Sequence, residues 1–404
     1  MAPIKVFHFD IKTLGNYGDT ILFEAVRQTF QGYGDRNVFR FLGTRNLRDP
    51  VDPKLVGAIN DNYDAVVIGG GGLFLADTNP NERSGWQWNI SIEQLKRIQK
   101  PLIVFAVGNN RFPGQADFSA LFKEHLNIVV DKALFVGLRN NGSVNTIREY
   151  LAPELRHKVV YQPCPTTMLS CLCPDLFVND IGNHRRAGFQ ALVGKRQLAA
   201  GFNLNSIYDQ IRIAIFNLQR KGVAVEVFAN ARGDKAFHSH LRDRGLRLKR
   251  HDLFQIRDVF APLNYIARLP ISVGMRGHAQ MVPFGLGNPI VSLFVHDKLR
   301  YFLEDIGHLE LLVDVTSDRL ANEITEKVIY LAEEFENVRS DFLKKQLGMW
   351  SLTIKNLSDI EHGLTGNRSA PTFVPYSRFE RHLSNQAYLA SLDKEELARE
   401  YQTA

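Results

Sequence analysis

Short apolar runs alternate with helical patterns along the first half of the chain. Ile4 to Phe9 reads as a strand, and the loop Gly15-Asn16-Tyr17-Gly18-Asp19 leads from it into a helix predicted from about Thr20 to Phe30. Two further strand-like runs, Ala65 to Ile68 and Leu102 to Val107, pass directly into Gly69-Gly70-Gly71-Gly72 and Gly108-Asn109-Asn110. Leu134 to Leu138 ends at Arg139-Asn140-Asn141-Gly142-Ser143 ahead of a helical stretch, Val144 to Tyr150, and Val159 to Gln162 ends at Pro163-Cys164-Pro165. Strands alternating with helices at this spacing predict a parallel, doubly wound sheet, in which ligands collect at the carboxyl ends of the strands. The polar loops would then share one rim.

The stretch Asp180 to Arg196 has little apolar periodicity and is rich in Gly, Asn, His, Arg and Lys, so residues 181–196 are read as a linker. It separates a first domain, residues 1–180, from a second, residues 197–350. Strands predicted at Ala199 to Leu204, Ala224 to Phe228, Leu269 to Val273 and Ile290 to Phe294, with a helix from about Ile207 to Lys221, repeat the first domain's architecture. Leu320, Ile324, Val328 and Leu331 lie at helical spacing within an amphipathic stretch, Arg319 to Leu347. Residues 351–404 form an extension that either packs back on the first domain or ends as a polar tail, with Ala387 to Tyr401 able to form a helix.

Composition agrees with two cores: 404 residues exceed what one core spans, and 45% hydrophobic with 23% charged residues is a globular balance. No apolar stretch is long enough to span a bilayer, and the start, MAPIKVFHFD, enters a strand pattern without a signal-peptide core. The three cysteines, Cys164, Cys171 and Cys173, are too few and too clustered for a disulfide framework, and no second ligand pair completes a zinc site. A cytoplasmic location is expected. The net charge of +6 and pI near 9.1 suit anionic partners, including an acidic inner membrane face touched peripherally.

Chemistry concentrates at strand ends. In Ser272-Val273-Gly274-Met275-Arg276-Gly277-His278-Ala279 a strand opens into a helix, whose unpaired N–H groups together with Arg276 would hold an oxyanion beside a titratable His278. The next strand end carries Lys298, and Arg139 would face both from the opposite domain across a cleft. Each of these cations also has an ordinary reading, as a loop residue paired with an acidic neighbour. The glycine run resembles a phosphate-cradling loop but lacks the Lys-Ser/Thr ending of a nucleotide P-loop and the spacing of a dinucleotide fingerprint. Asn16 and Asp19 offer an amide and a carboxylate suited to sugar hydroxyls or, equally, to bonding local backbone or capping the helix at Thr20, and with Gly70, Gly71 and Asn109 they are placed on the side of a sugar acceptor. Trp86, Trp88 and Phe112 are candidates to stack on a sugar ring, against the commoner fate of core packing.

The ordered set resembles the polysaccharide pyruvyl transferases: Asn16-Tyr17-Gly18-Asp19 is similar to the family's early N-x-G-D, Val67 to Gly72 to its glycine-rich strand end, and Arg139 to its mid-chain arginine. Arg276-Gly277-His278 resembles its R-x-H element and Lys298-Leu299-Arg300 its K-x-R element, over about residues 4 to 310. The resemblance implies two Rossmann-like domains of glycosyltransferase-B type with the active site in the interdomain cleft. It further implies phosphoenolpyruvate as donor and co-substrate, no cofactor and no metal, and a pyruvate ketal built on two sugar hydroxyls. Arg139, Arg276, Gly277 and Lys298 would bind the donor, with His278 and Arg276 catalytic. Gly277 between Arg and His, Asn140 after the arginine, and Pro163-Cys164-Pro165-Thr166 in place of an Asp-Pro element depart from the family pattern and bear on the acceptor more than on the donor. Two other functions fit the charge and fold: a sugar-nucleotide-dependent glycosyltransferase, and a carbohydrate- or nucleic-acid-binding module. The second lacks any nucleic-acid-reading motif, so no nucleic-acid partner is expected.

Overall fold

A computed structural model of the chain describes residues 2–11, 15–75, 82–112, 114–255 and 260–376. The first sheet contains β1 (Ile4–Asp10), β2 (Phe39–Asn46), β3 (Ala65–Ile68), β4 (Gly71–Phe74), β5 (Leu102–Asn109), β6 (Ala133–Leu138) and β7 (Val159–Tyr161). Its order is β2-β1-β3-β5-β6-β7, with β4 also pairing β5, and every pairing is parallel. The strands β3 and β5 are buried along their whole length, because helices cover both faces and leave no polar side to alternate with.

The second sheet contains β8 (Arg186–Gln190), β9 (Ala224–Ala229), β10 (Lys249–Asp252), β11 (Ile271–Gly274), β12 (Ile290–Phe294) and β13 (Leu312–Asp314), ordered β10-β9-β8-β11-β12-β13 and again all parallel. The order in which successive strands are added reverses between β1 and β3 in the first sheet and between β8 and β11 in the second. These switch points are where a doubly wound sheet opens a crevice at its strand ends.

The linker reading is corrected here. Arg186–Gln190 is the central strand of the second sheet, and the stretch Ala199 to Leu204 is not a strand but the turn between the helices Lys195–Ala199 and Leu204–Arg220. The strand carries little apolar signal because Phe189 is its one large apolar residue, Gln190 is buried though polar, and Gly188 must stay small: a Cβ there would sit 2.6 Å from the Leu269 side chain. The strands β2, β4, β10 and β13 also went unread; β10, with the sequence KRHD, is a mostly polar edge.

The amphipathic stretch divides into two helices, Leu320–Glu333 and Phe335–Thr365. The second has 31 residues, a length of about 46 Å, and crosses from one domain to the other. Phe342 packs on Phe284 of the second domain. Further along, Thr353 accepts a hydrogen bond from Gln162, Asn356 donates to the carbonyl of Tyr161, and Glu361 accepts from the Tyr33 hydroxyl, all in the first domain. Beyond it, Val374 N–H bonds to the Gly32 carbonyl and Tyr376 N–H to that of Leu172. The segment Ala387 to Tyr401 lies outside the described residues. No helix among the described residues is long and apolar enough to cross a membrane.

Candidate functional site

The two switch points face each other across a cleft of about 650 Å³. The chain closes it by direct contact: Tyr17 N–H donates to the Asn230 carbonyl at 2.8 Å, and Asn16 bridges to Ala231. A carboxylate latch lies further along the same interface. Asp305, on the helix Asp297–Ile306, accepts from the backbone N–H of Asn141 at 3.2 Å and from its side chain at 2.9 Å, in the first turn of the helix Asn141–Arg148 that follows Arg139. Burial pushes the Asp305 carboxyl up to about 6, against the Asn141 donors that favour its ionised form.

Arg139, Arg276, Gly277, His278 and Lys298 all line the cleft, as do Asn16 and Asp19. Arg139 follows β6 with 7% of its surface exposed, and its Nε and Nη2 have no hydrogen-bond partner among the described residues. A buried guanidinium without an acceptor is expensive, so it is suited to a ligand anion. Arg276 follows β11 and is bidentate to Asp234, with Nε and Nη2 each 2.7 Å from Oδ1. The carboxylate is fully buried and also accepts from the N–H groups of Asn230 and Ala231. Arg276 thus has its acidic neighbour and is aimed by it, leaving a less than full charge for a ligand.

His278 opens the helix His278–Gly285 and meets the first domain at Gly18: a Cβ there would lie 2.5 Å from the ring Nδ1. Its Nε2 has no partner among the described residues. Burial, then Arg139, Lys298 and Arg276, lower its pKa to about 3, so the ring is neutral at physiological pH. Lys298 donates from Nζ to the Asn110 side chain at 3.0 Å across the interface. Burial, with Arg139 and Arg276, brings the ammonium down to about 7, with Asp19 opposing. Burial likewise raises the Asp19 carboxyl, although Arg48, Arg276, Lys298 and Arg139 oppose it. Asn16 accepts from the Gly18 N–H as helix cap and donates to Asp19 at 2.8 Å.

Five expected site residues take other places. Trp86 is in the first domain's core, 1% exposed, with its indole N–H bonded to His125. Trp88 is buried beside it, the two rings packing on each other and on Phe9 and Phe74. Gly70 and Gly71 lie behind the cleft wall, which Gly72 lines instead. Gly69 and Gly71 have φ of +119° and +125°, so glycine there serves the turn. Asn109 lines a smaller hollow next door and leaves the cleft to Asn110. Phe112 does line the cleft, with Arg196 over its ring at 4.9 Å and Lys298 at 5.6 Å.

Sequence reasoning passed over Asp234, His296, Arg48 and Arg196. His296 caps the helix Asp297–Ile306, its ring accepting from the Lys298 N–H and its Nε2 meeting the Asn110 carbonyl. The strand-end rule that singled out Lys298 applies equally to His296 two residues before it and to Asp234 in the loop after β9. Arg196 was hidden in the misread linker. Arg48 belongs to an unread strand's loop and donates to Gln87 at 3.0 Å.

A family model for polysaccharide pyruvyl transferases matches residues 16–294, more than half of the chain. The chain belongs to the polysaccharide pyruvyl transferase family. As a member it is a transferase of polysaccharide pyruvylation, and a polysaccharide is its class of acceptor. No curated protein matches it in sequence. Solved structures show the pyruvyl transferase to share its fold with two-domain sugar enzymes. A UDP-N-acetylglucosamine 2-epimerase candidate from Listeria monocytogenes is 13% identical over 92% of this chain and 100% of that one, with a TM-score of 0.57. A glycosyltransferase from Rickettsia africae is 11% identical over 91% and 100%, with a TM-score of 0.53. UDP-GlcNAc 2-epimerase from Neisseria meningitidis, bound to UDP-GlcNAc, is 12% identical over 88% and 99%, with a TM-score of 0.51. At these identities the likeness concerns architecture: two Rossmann-like domains of glycosyltransferase-B type.

Proposed function

We propose that this pyruvyl transferase takes the pyruvyl group from phosphoenolpyruvate and builds it as a ketal on two hydroxyls of a sugar residue, releasing phosphate. The observation that carries the reading is the convergence of Arg139, Lys298 and Arg276 on His278 at the facing switch points, with the buried Arg139 guanidinium short of acceptors. A small polyanion with a carboxylate and a phosphate on one carbon fits that geometry. Arg139 and Lys298 clamp the two anionic groups, Arg276 adds charge on the phosphate side, and Gly277 lets the anion approach the helix start. Neutral His278 accepts a proton from the attacking sugar hydroxyl. The transfer moves no electrons between centres, so no redox cofactor is invoked, and Arg139, Arg276, Lys298 and His278 supply the charge and proton chemistry.

The acceptor enters from the first-domain side past Asn16 and Asp19, beside Phe112. We place the reaction in the cytoplasm, where the net charge of +6 suits peripheral contact with an acidic membrane face carrying a growing glycan. The test incubates the enzyme with phosphoenolpyruvate and methyl glycosides of common hexoses, reading phosphate release and a mass gain of pyruvic acid minus water. UDP-sugars serve as the competing donors. Transfer of a hexose unit from a UDP-sugar, with no phosphate released from phosphoenolpyruvate, would establish a glycosyltransferase instead.

A further inference from the structure

We infer that Asp19 is the acid that delivers a proton to the methylene carbon of the donor. The inference rests on the reading of the cleft as a phosphoenolpyruvate site. Turning an enol ester into a ketal converts its methylene to a methyl group, so a proton must reach that carbon as the adjacent carbon accepts the hydroxyl oxygen. In the free enzyme burial and the three cations keep His278 neutral, which suits it to take up the hydroxyl proton and leaves the carbon proton to another group.

The other titratable groups facing the cleft narrow the choice. His296 has both ring nitrogens engaged, one by the Lys298 N–H and one by the Asn110 carbonyl. Lys298 is tied to Asn110, and a bound trianion would restore its ordinary ammonium pKa, making it a poorer acid while it holds charge. Lys195 also lines the cleft, where it adds positive charge for a bound trianion. Asp19 is the one carboxyl lining the cleft among the described residues. It stands in the first turn of the helix Tyr17–Gly32, and the Asn16 side chain holds its Oδ2 at 2.8 Å. Gly18, the residue before it, is pressed against the His278 ring, which brings the carboxyl and the imidazole to one place from opposite domains. Burial already favours the protonated carboxyl against Arg48, Arg276, Lys298 and Arg139, and the donor's own negative charge works in the same direction.

The step balances. The Asp19 proton forms the new C–H bond with the π electrons of the enol, the first hydroxyl oxygen bonds to the neighbouring carbon, and its proton passes to His278. The C–O bond to phosphate then breaks, the phosphate carrying away the His278 proton. The second hydroxyl oxygen closes the ketal and returns its proton to the Asp19 carboxylate, so both residues end as they began.

The experiment compares the full-length enzyme with Asp19→Asn and Asp19→Glu, using phosphoenolpyruvate and whichever methyl glycoside supports phosphate release. Asp19→Asn should lose about 10²- to 10⁴-fold in kcat. Its thermal shift with phosphoenolpyruvate should stay within about twofold in midpoint concentration, as for a group that is neutral when the donor binds. In the wild type, kcat should fall on the alkaline side as Asp19 ionises, and Asp19→Glu, partly active, should move that limb. Turnover of Asp19→Asn within about tenfold of wild type overturns the assignment. So does loss of the donor's thermal shift in that variant, or an alkaline limb that ignores Asp19→Glu and vanishes in Lys298→Met. A wild-type enzyme that never releases phosphate from phosphoenolpyruvate overturns the donor assignment itself, and the role of Asp19 with it.

Discussion

Lys298 makes donor binding depend on pH in a way that can be worked out beforehand. Burial beside Arg139 and Arg276 holds the free ammonium at about 7, far below the ordinary lysine value. A bound trianion offsets both neighbours and returns the ammonium to its usual range, so above neutrality binding must take up a proton. If only the charged form binds, the dissociation constant for phosphoenolpyruvate scales as one plus the ratio of neutral to charged lysine. It should weaken about tenfold per pH unit, or about fiftyfold from about pH 7 to about pH 9. The donor phosphate is already a dianion through most of that window and contributes little slope of its own. Isothermal titration calorimetry in two buffers of different ionisation enthalpy reads both the affinity and the proton uptake, which should approach one. Lys298→Met should bind weakly at every pH and show neither effect. For the free protein the sign is that of a depressed pKa: the stability associated with neutral Lys298 is present above about 10 and lost as pH falls through about 7. A dissociation constant that stays level across the window, or a slope that survives in Lys298→Met, would refute the reasoning.

Other perturbations separate aiming, packing and docking. Gly18→Ala places a methyl group 2.5 Å from the His278 ring, so turnover should drop by about 10²-fold while chemical denaturation shows at most about 1–3 kcal/mol lost. Asp234→Ala removes the buried carboxylate from Arg276 and from two backbone N–H groups; about 3–5 kcal/mol of stability should go, measured by urea unfolding, along with a raised KM for the donor. Trp86→Ala should cost about 3–5 kcal/mol and show no acceptor-specific effect in kinetics of the protein that folds, as befits a core indole. For Asp305, whose carboxyl is raised to about 6, stability should be fullest below about pH 4 and decline as pH rises through about 6. Asp305→Asn should flatten that part of the pH–stability profile.

The strand ends that carry the chemistry were legible because a parallel sheet converts linear order into place. An apolar run followed by a polar loop announces both a buried strand and the rim at its carboxyl end, which is why Arg139, Arg276, His278 and Lys298 could be named together from sequence. The same rule failed where the apolar run was missing. Strand β8 puts a glycine under Leu269 and buries Gln190, leaving Phe189 as its one large apolar residue, so its segment looked like a linker and Arg196 was lost with it. Trp86 and Trp88 show the converse: large aromatics in a loop say nothing of whether the loop turns outward or folds beneath the sheet.

By itself the sequence determined two parallel α/β units, their cationic strand ends and the family. Only the tertiary structure decided what each cation does, because charge on a side chain depends on distances between segments far apart in the chain. Asp234 aims Arg276 from 42 residues away, and Asn110 holds Lys298 from 188. Burial between two domains, which no local pattern encodes, leaves His278 neutral, brings the Lys298 pKa down to about 7 and raises that of Asp19.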